Sequence, residues 1–151
     1  MLGNNYEVDI ASDFQTFEFI SVGTKGNITK VVRYTEIDIK GVFSLGFGDK
    51  NLETGHISDL IISNNGDSQK VLSTVAATLK VFMNNYPEAI VIATGSTEAR
   101  TRLYQMGIAK SFETIQRDYI VLGLKEKDWE PFKKNVTYEA FLVKKNNIYE
   151  D

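Results

Sequence analysis

The chain is expected to fold as one α+β domain, a mostly antiparallel sheet with a single βαβ unit and a long amphipathic helix packed on it. Three observations carry that expectation. Residues 17–48 are dominated by alternating apolar and polar side chains. The stretch Ser68 to Asn85 then repeats apolar residues at helical spacing, and Ala89 to Ala93 after it is apolar on both faces.

The first elements are strands. Phe17 to Val22 is apolar and aromatic, and Gly23-Thr24-Lys25-Gly26-Asn27 after it is a hairpin signal. Ile28 to Tyr34 alternates Ile28, Lys30, Val32 and Tyr34 against Thr29, Val31 and Arg33. Beyond a polar bend through Glu36 and Asp38, Val42 to Gly48 sets Phe43, Leu45 and Phe47 on one face. Val42, Ser44, Gly46 and Gly48 form the other face, bare enough for a helix, a backbone or a ligand to approach closely. Of these, a packed helix is expected.

The loop Asp49 to Gly55 leads to a short apolar strand, Ile57 to Ile62, and Asn64-Asn65-Gly66-Asp67 punctuates the chain before the long helix. Leu72, Val75, Ala76, Leu79, Phe82 and Met83 fall in a stripe about 100° wide. Asp67 is the expected N-cap and Pro87 the stop. Strand, helix and Ala89 to Ala93 make a right-handed βαβ unit. A short helix from about Thr97 to Met106 should end at Gly107. Phe112 to Leu124 reads as one long strand, Trp129 to Phe132 as a turn or short helix, and Tyr138 to Lys144 as the last strand. The core is expected over about residues 13–145 of a single domain spanning 1–151.

Composition narrows the function. Hydrophobic residues at 42% and charged residues at 25% are the balance of a folded domain rather than a disordered one. With no cysteine there is no thiol nucleophile, disulfide framework or zinc–thiolate site. A net charge of −3 argues against a broad phosphate-neutralising surface, so nucleic acid is not an expected partner. No apolar stretch approaches the roughly 20 residues of a membrane span, and Met1 to Asp13 has neither the basic start nor the apolar run of a signal peptide. A cytoplasmic protein is expected.

Few catalytic sets can be built. His56 is the only histidine, no nucleophile elbow surrounds a serine, and neither a Walker A lysine nor a Gly-x-Gly-x-x-Gly run occurs. Asp49, Glu53 and Asp59 match no calcium loop and read as solvated carboxylates; no metal site is expected. The informative stretch is Gly95-Ser96-Thr97-Glu98-Ala99-Arg100-Thr101-Arg102-Leu103-Tyr104, which follows a buried strand and opens a helix. Free amides and the positive helix end would face the sheet edge there. On that helix Ala99, Leu103 and Met106 are expected to pack inward, leaving Thr97, Arg100, Thr101 and Tyr104 on a different face. Asn64 and Asn65 lie at the end of the neighbouring strand. Asn64, Asn65, Ser96, Thr97, Arg100 and Tyr104 are therefore the candidate ligand-binding residues. The alternative is a capped helix whose arginines face water or pair with Glu98 and Asp118. Asp67 would compete with a phosphate for the same amides.

The order of elements from Gly55 to Ile108, with Ala99, Arg100, Leu103, Tyr104 and Gly107-Ile108, resembles the second half of the GNAT N-acetyltransferase fold. That resemblance implies acetyl-coenzyme A as cofactor and Tyr104 as the acid that protonates the leaving thiolate. The family's Gln/Arg-x-x-Gly-x-Gly/Ala loop is replaced here by Asn65-Gly66-Asp67-Ser68-Gln69-Lys70. A five-residue hairpin stands where that family places two helices. The chain also resembles a small uncharacterised bacterial family, a domain of unknown function, through Phe47-Gly48-Asp49, Ser63 to Asp67, Lys70-Val71-Leu72 and Gly95 to Tyr104. Two functions are expected on these grounds. One is a non-enzymatic ligand- or protein-binding module on a degenerate acetyltransferase-like scaffold, with no cofactor and a small anionic ligand or a protein as partner. The other is an N-acyltransferase or other small-molecule transferase that uses an anionic cofactor. Neither needs a membrane.

Overall fold

The computed structural model describes residues 5–54, 57–58, 65–95 and 97–146. Its elements are β1 (Asp9–Ile10), β2 (Thr16–Gly23), β3 (Gly26–Glu36), β4 (Val42–Lys50), β5 (Ile57–Ser58), α1 (Ser68–Asn85), β6 (Ile90–Ala93), α2 (Glu98–Lys110), α3 (Phe112–Asp118), β7 (Tyr119–Lys125), β8 (Asp128–Pro131) and β9 (Ala140–Lys145). The strands form one sheet in the order β1-β2-β3-β4-β6-β9-β7-β8, with β5 paired to β4 off that path. Every pairing among the described residues is antiparallel except β4 with β6. A parallel neighbour requires a crossover, and α1 lies in the connection that provides it. Among the described residues no helix is long and apolar enough to cross a membrane.

Register places Phe17 and Phe19, Val32 and Tyr34, Phe43, Leu45 and Phe47, Val91 and Ala93, Phe141 and Val143, and Tyr119 and Val121 on one face. All are buried, in one cluster with Val71, Val75, Phe82 and Met83 of α1 and Tyr104 of α2. Phe112 and Ile115 of α3 pack against the same cluster, so the three helices share this face. The Phe82 ring stacks on Tyr34 at 4.3 Å between centroids and meets Phe43 edge-on at 5.0 Å. Tyr34 and Thr78 join their hydroxyls at 2.9 Å inside this apolar layer, so neither is left without a partner.

The long helix has the bounds its periodicity implies. Its buried stripe is centred differently: Val71, Thr74 and Thr78 are buried, whereas Ala76 and Leu79 are half-buried. The two threonines tolerate this because Thr74 donates to the Lys70 carbonyl at 2.7 Å and Thr78 to that of Val75 at 2.7 Å.

Several expectations are corrected. The parallel partner of β6 is β4, because β5 runs back antiparallel along β4. The helices cover the aromatic face of β4, not the bare face of Ser44, Gly46 and Gly48. The α2 helix passes through Gly107 to Lys110, with Gly107 against Leu72 of α1. Residues 112–118 are helical rather than extended, since Phe112 and Ile115 lie three apart and meet the core from one helix face. Residues 128–131 form a strand, reached by a turn in which Glu126 and Lys127 both take positive φ (52° and 73°).

Candidate functional site

A cleft of about 230 Å³ opens where α1 and α2 begin, above the end of β4. Phe47 of β4 supplies its floor, and Val71, Leu72, Leu103 and Met106 supply apolar walls. Polar groups enter from Lys30, Asn65, Asp67, Ser68 and Arg100. Two cations flank one aromatic ring. The Arg100 guanidinium lies 5.3 Å from the Phe47 centroid and the Lys30 ammonium 6.0 Å from it, and these residues are only 2% and 4% exposed. Lys30 is ion-paired with Asp49, its register partner across β3 and β4.

Arg100 reaches this position because Thr97 caps α2. The Thr97 hydroxyl accepts from the Arg100 amide at 3.1 Å, and Thr101 donates to the Thr97 carbonyl at 3.2 Å while accepting from the Gly95 amide at 2.9 Å. Helix and preceding loop pack so closely that a β-carbon on Gly95 would stand 2.5 Å from that of Arg100. Only a residue without a β-carbon lets loop and helix approach so closely.

Asp67 stands at the N-cap position of α1, as expected, but its side chain does not cap the helix. Its side chain makes no bond to the helix amides; the carboxylate accepts instead from Tyr6 and from Ser21, both at 2.5 Å. The expected competition with an anion for the α1 amides is thereby removed. Burial, and then the bond to Asp67, push the Tyr6 hydroxyl above its ordinary pKa.

Asn65 is 2% exposed and holds the loop to the β2–β3 hairpin. It accepts from the Lys25 amide at 2.6 Å and donates to the Ser21 hydroxyl at 3.0 Å and the Gly26 carbonyl at 2.9 Å. Its own carbonyl accepts from the Thr24 amide at 3.1 Å.

The six candidate residues thus separate. Asn65 and Arg100 meet in the cleft. Thr97 is exposed and lines a different, polar groove with Gln105, Thr137 and Glu139. Tyr104 is 7% exposed and lines a small apolar cavity of about 60 Å³ between α1, α2 and the sheet. Asn64 and Ser96 fall outside the described residues, as does His56. The expected faces of α2 are exchanged: Arg100, Thr101 and Tyr104 are its buried residues, while Ala99 is exposed and Met106 is 51% exposed. The hydroxyls bond locally and the arginine stacks, so these side chains can lie inward, and Leu103 and Met106 become cleft wall. Glu98 and Asp118, the suggested arginine partners, are exposed. Lys30, Phe47, Ser68, Leu103 and Met106 were not singled out for the site by sequence reasoning. A signal existed for Lys30, which shares the parity of Val32 and Tyr34 on the core face of β3.

Fold and cleft together define a one-sheet α+β domain with helices on a single face and a small amphipathic cleft at the start of two of them. The chain belongs to the family of unknown function DUF6934, whose sequence profile matches residues 3–146. Neither a curated protein nor a solved structure matches it, so the acetyltransferase resemblance gains no support from relatives.

Proposed function

We propose that this chain is a ligand-binding module whose cleft takes a small molecule with an apolar body and one anionic group, a carboxylate or a phosphate monoester. The observation that carries the proposal is Arg100, buried against Phe47 at the wall of an amphipathic cleft. Stacking on the ring holds the guanidinium at the cleft wall and contributes about 1–2 kcal/mol. A ligand anion in the cleft adds charge-assisted hydrogen bonds where water is scarce. Asp67, the one carboxylate among the described lining residues, already accepts from Tyr6 and Ser21. The positive end of α1 beside Ser68 favours the same ligand charge.

The size suits a ligand of roughly ten heavy atoms, with a dissociation constant of about 0.1 mM, near −5.5 kcal/mol. Calorimetric titration with benzoate, phenyl phosphate and acetyl-coenzyme A tests this. Binding of either small anion, lost in Met106→Trp, supports the module; binding of none of the three contradicts it. The alternative, an N-acyltransferase, draws on the parallel pairing of β4 and β6 across α1. It is the weaker reading, because the cleft is small for coenzyme A and Tyr104 lies in the core. Micromolar binding of acetyl-coenzyme A would favour it.

A further inference from the structure

The small apolar cavity beside Tyr104 extends the cleft along the helices. Leu72 of α1 lines the cleft together with Arg100 and Leu103 of α2. About a turn further along both helices, Val75, Ala76 and Leu79 line the cavity together with Tyr104, Gly107 and Ile108. Leu72 belongs to both linings and divides the two spaces. Opposite it on α2 is Gly107, where a β-carbon would stand 3.3 Å from Leu72 Cδ2. Glycine is unfavourable inside a helix. Here it leaves the end of the leucine room to change rotamer, which a larger residue would fill. The described walls of the cavity are aliphatic apart from Tyr104 and Gly107, and the sheet supplies its floor. At about 60 Å³ it has room for roughly four groups the size of a water or a methylene. Packed interiors leave few such spaces, and aliphatic walls favour carbon over water in this one.

We infer that the ligand is a straight-chain amphiphile with one anionic head, which meets Arg100, and an alkyl tail, which passes Leu72 into this cavity. The inference rests on the cleft being the anion site proposed above, and it names the apolar body that the site selects. Arg100 and Ile108 are about two turns apart, roughly 12 Å along α2, so head and tail positions are further apart than one aromatic ring reaches. A ring fills the cleft and stops at Leu72, whereas an alkyl tail is slim enough to continue between the helices. Ala76, Leu79 and Ile108 are half-buried and mark where the cavity opens to solvent. Carbons beyond that mouth leave no further apolar surface covered and gain nothing.

Calorimetry of the full-length protein with butyrate, hexanoate, octanoate and octyl phosphate tests this, with benzoate as the ligand that fills the cleft alone. Each added methylene should tighten binding about two- to fourfold, so octanoate should bind at least about tenfold tighter than butyrate. Whichever of octanoate and octyl phosphate binds tighter identifies the head, and either result supports the tail. In a sample labelled at isoleucine methyls, Ile108 and Ile115, which line the cavity, should move with octanoate and stay in place with butyrate. Ala76→Phe, which fills the cavity from α1, should abolish the gain with tail length; the isoleucine signals decide if that variant does not fold. Equal affinity for butyrate and octanoate, with benzoate still binding, would overturn the tail and leave the cleft reading standing. Binding of none of these ligands would overturn both. Octanoate that moves neither isoleucine, or an undiminished gain in folded Ala76→Phe, also overturns the inference.

Discussion

Truncating Asn65 to alanine should lower stability by about 3 kcal/mol. The side chain makes three hydrogen bonds of 3.0 Å or less, to Lys25, Ser21 and Gly26, from a position 2% exposed. Each is worth about 1 kcal/mol net. Water can replace the bonds to Lys25 and Gly26, which are exposed residues; Ser21 is fully buried and keeps only its bond to Asp67. For a domain of this size 1 kcal/mol shifts Tm by about 2–4 °C, so a fall of roughly 6–12 °C is expected. Asn65→Asp should be no milder, because it sets a carboxylate against the Gly26 carbonyl and leaves the single Ser21 hydroxyl proton between two carboxylates, its own and that of Asp67. Calorimetric melts of the three proteins measure this. A fall below about 2 °C for Asn65→Ala would refute the structural role and return Asn65 to the ligand.

Gly23→Ala should destabilise the fold as severely or more, since its β-carbon would lie 1.8 Å from the Asn65 carbonyl oxygen; a melting temperature near wild type would contradict that packing. Burial holds the Tyr34 hydroxyl well above its ordinary value near 10. The folded state then keeps a proton that the unfolded state releases, so stability is complete below about pH 10 and falls as pH rises beyond it. Tyr34→Phe should flatten that fall at a cost of about 1 kcal/mol at pH 7, and equal alkaline slopes in melts from pH 8 to about 11 would count against it. Arg100→Lys, which keeps the charge but loses the planar fork, should weaken anion binding about tenfold, near 1.4 kcal/mol; unchanged affinity by calorimetry would remove Arg100 from the site.

What the sequence disclosed followed the strength of local periodicity. Ser68 to Asn85 has a wide apolar stripe and Pro87 beyond it, and its bounds were legible to the residue. The β2–β3 hairpin was legible through its glycines. The β7–β8 hairpin was not, because its turn puts Glu126 and Lys127 at positive φ, where Asn-Gly is the usual signal. Phe112 to Leu124 joins a helix and a strand without a breaker, so apolar content alone favoured one long strand. Half of the cleft was hidden for a related reason. Polarity suggested that Arg100 and Tyr104 faced solvent, yet stacking on Phe47 and burial in the core turn them inward. Lys30 sits in the core because Asp49 lies opposite it, and only strand register reveals that pairing.

The cleft can be observed directly through its own methionine. Met106 lines it, whereas Met83 is fully buried in the core. In a methyl-labelled sample titrated with phenyl phosphate, the Met106 signal should move saturably, with a midpoint of about 0.1 mM. Met83 should stay in place, and Arg100→Lys should raise the midpoint about tenfold. A Met106 signal that does not move up to about 10 mM of phenyl phosphate or benzoate, or that moves identically in Arg100→Lys, would contradict the assignment of this cleft as the ligand site.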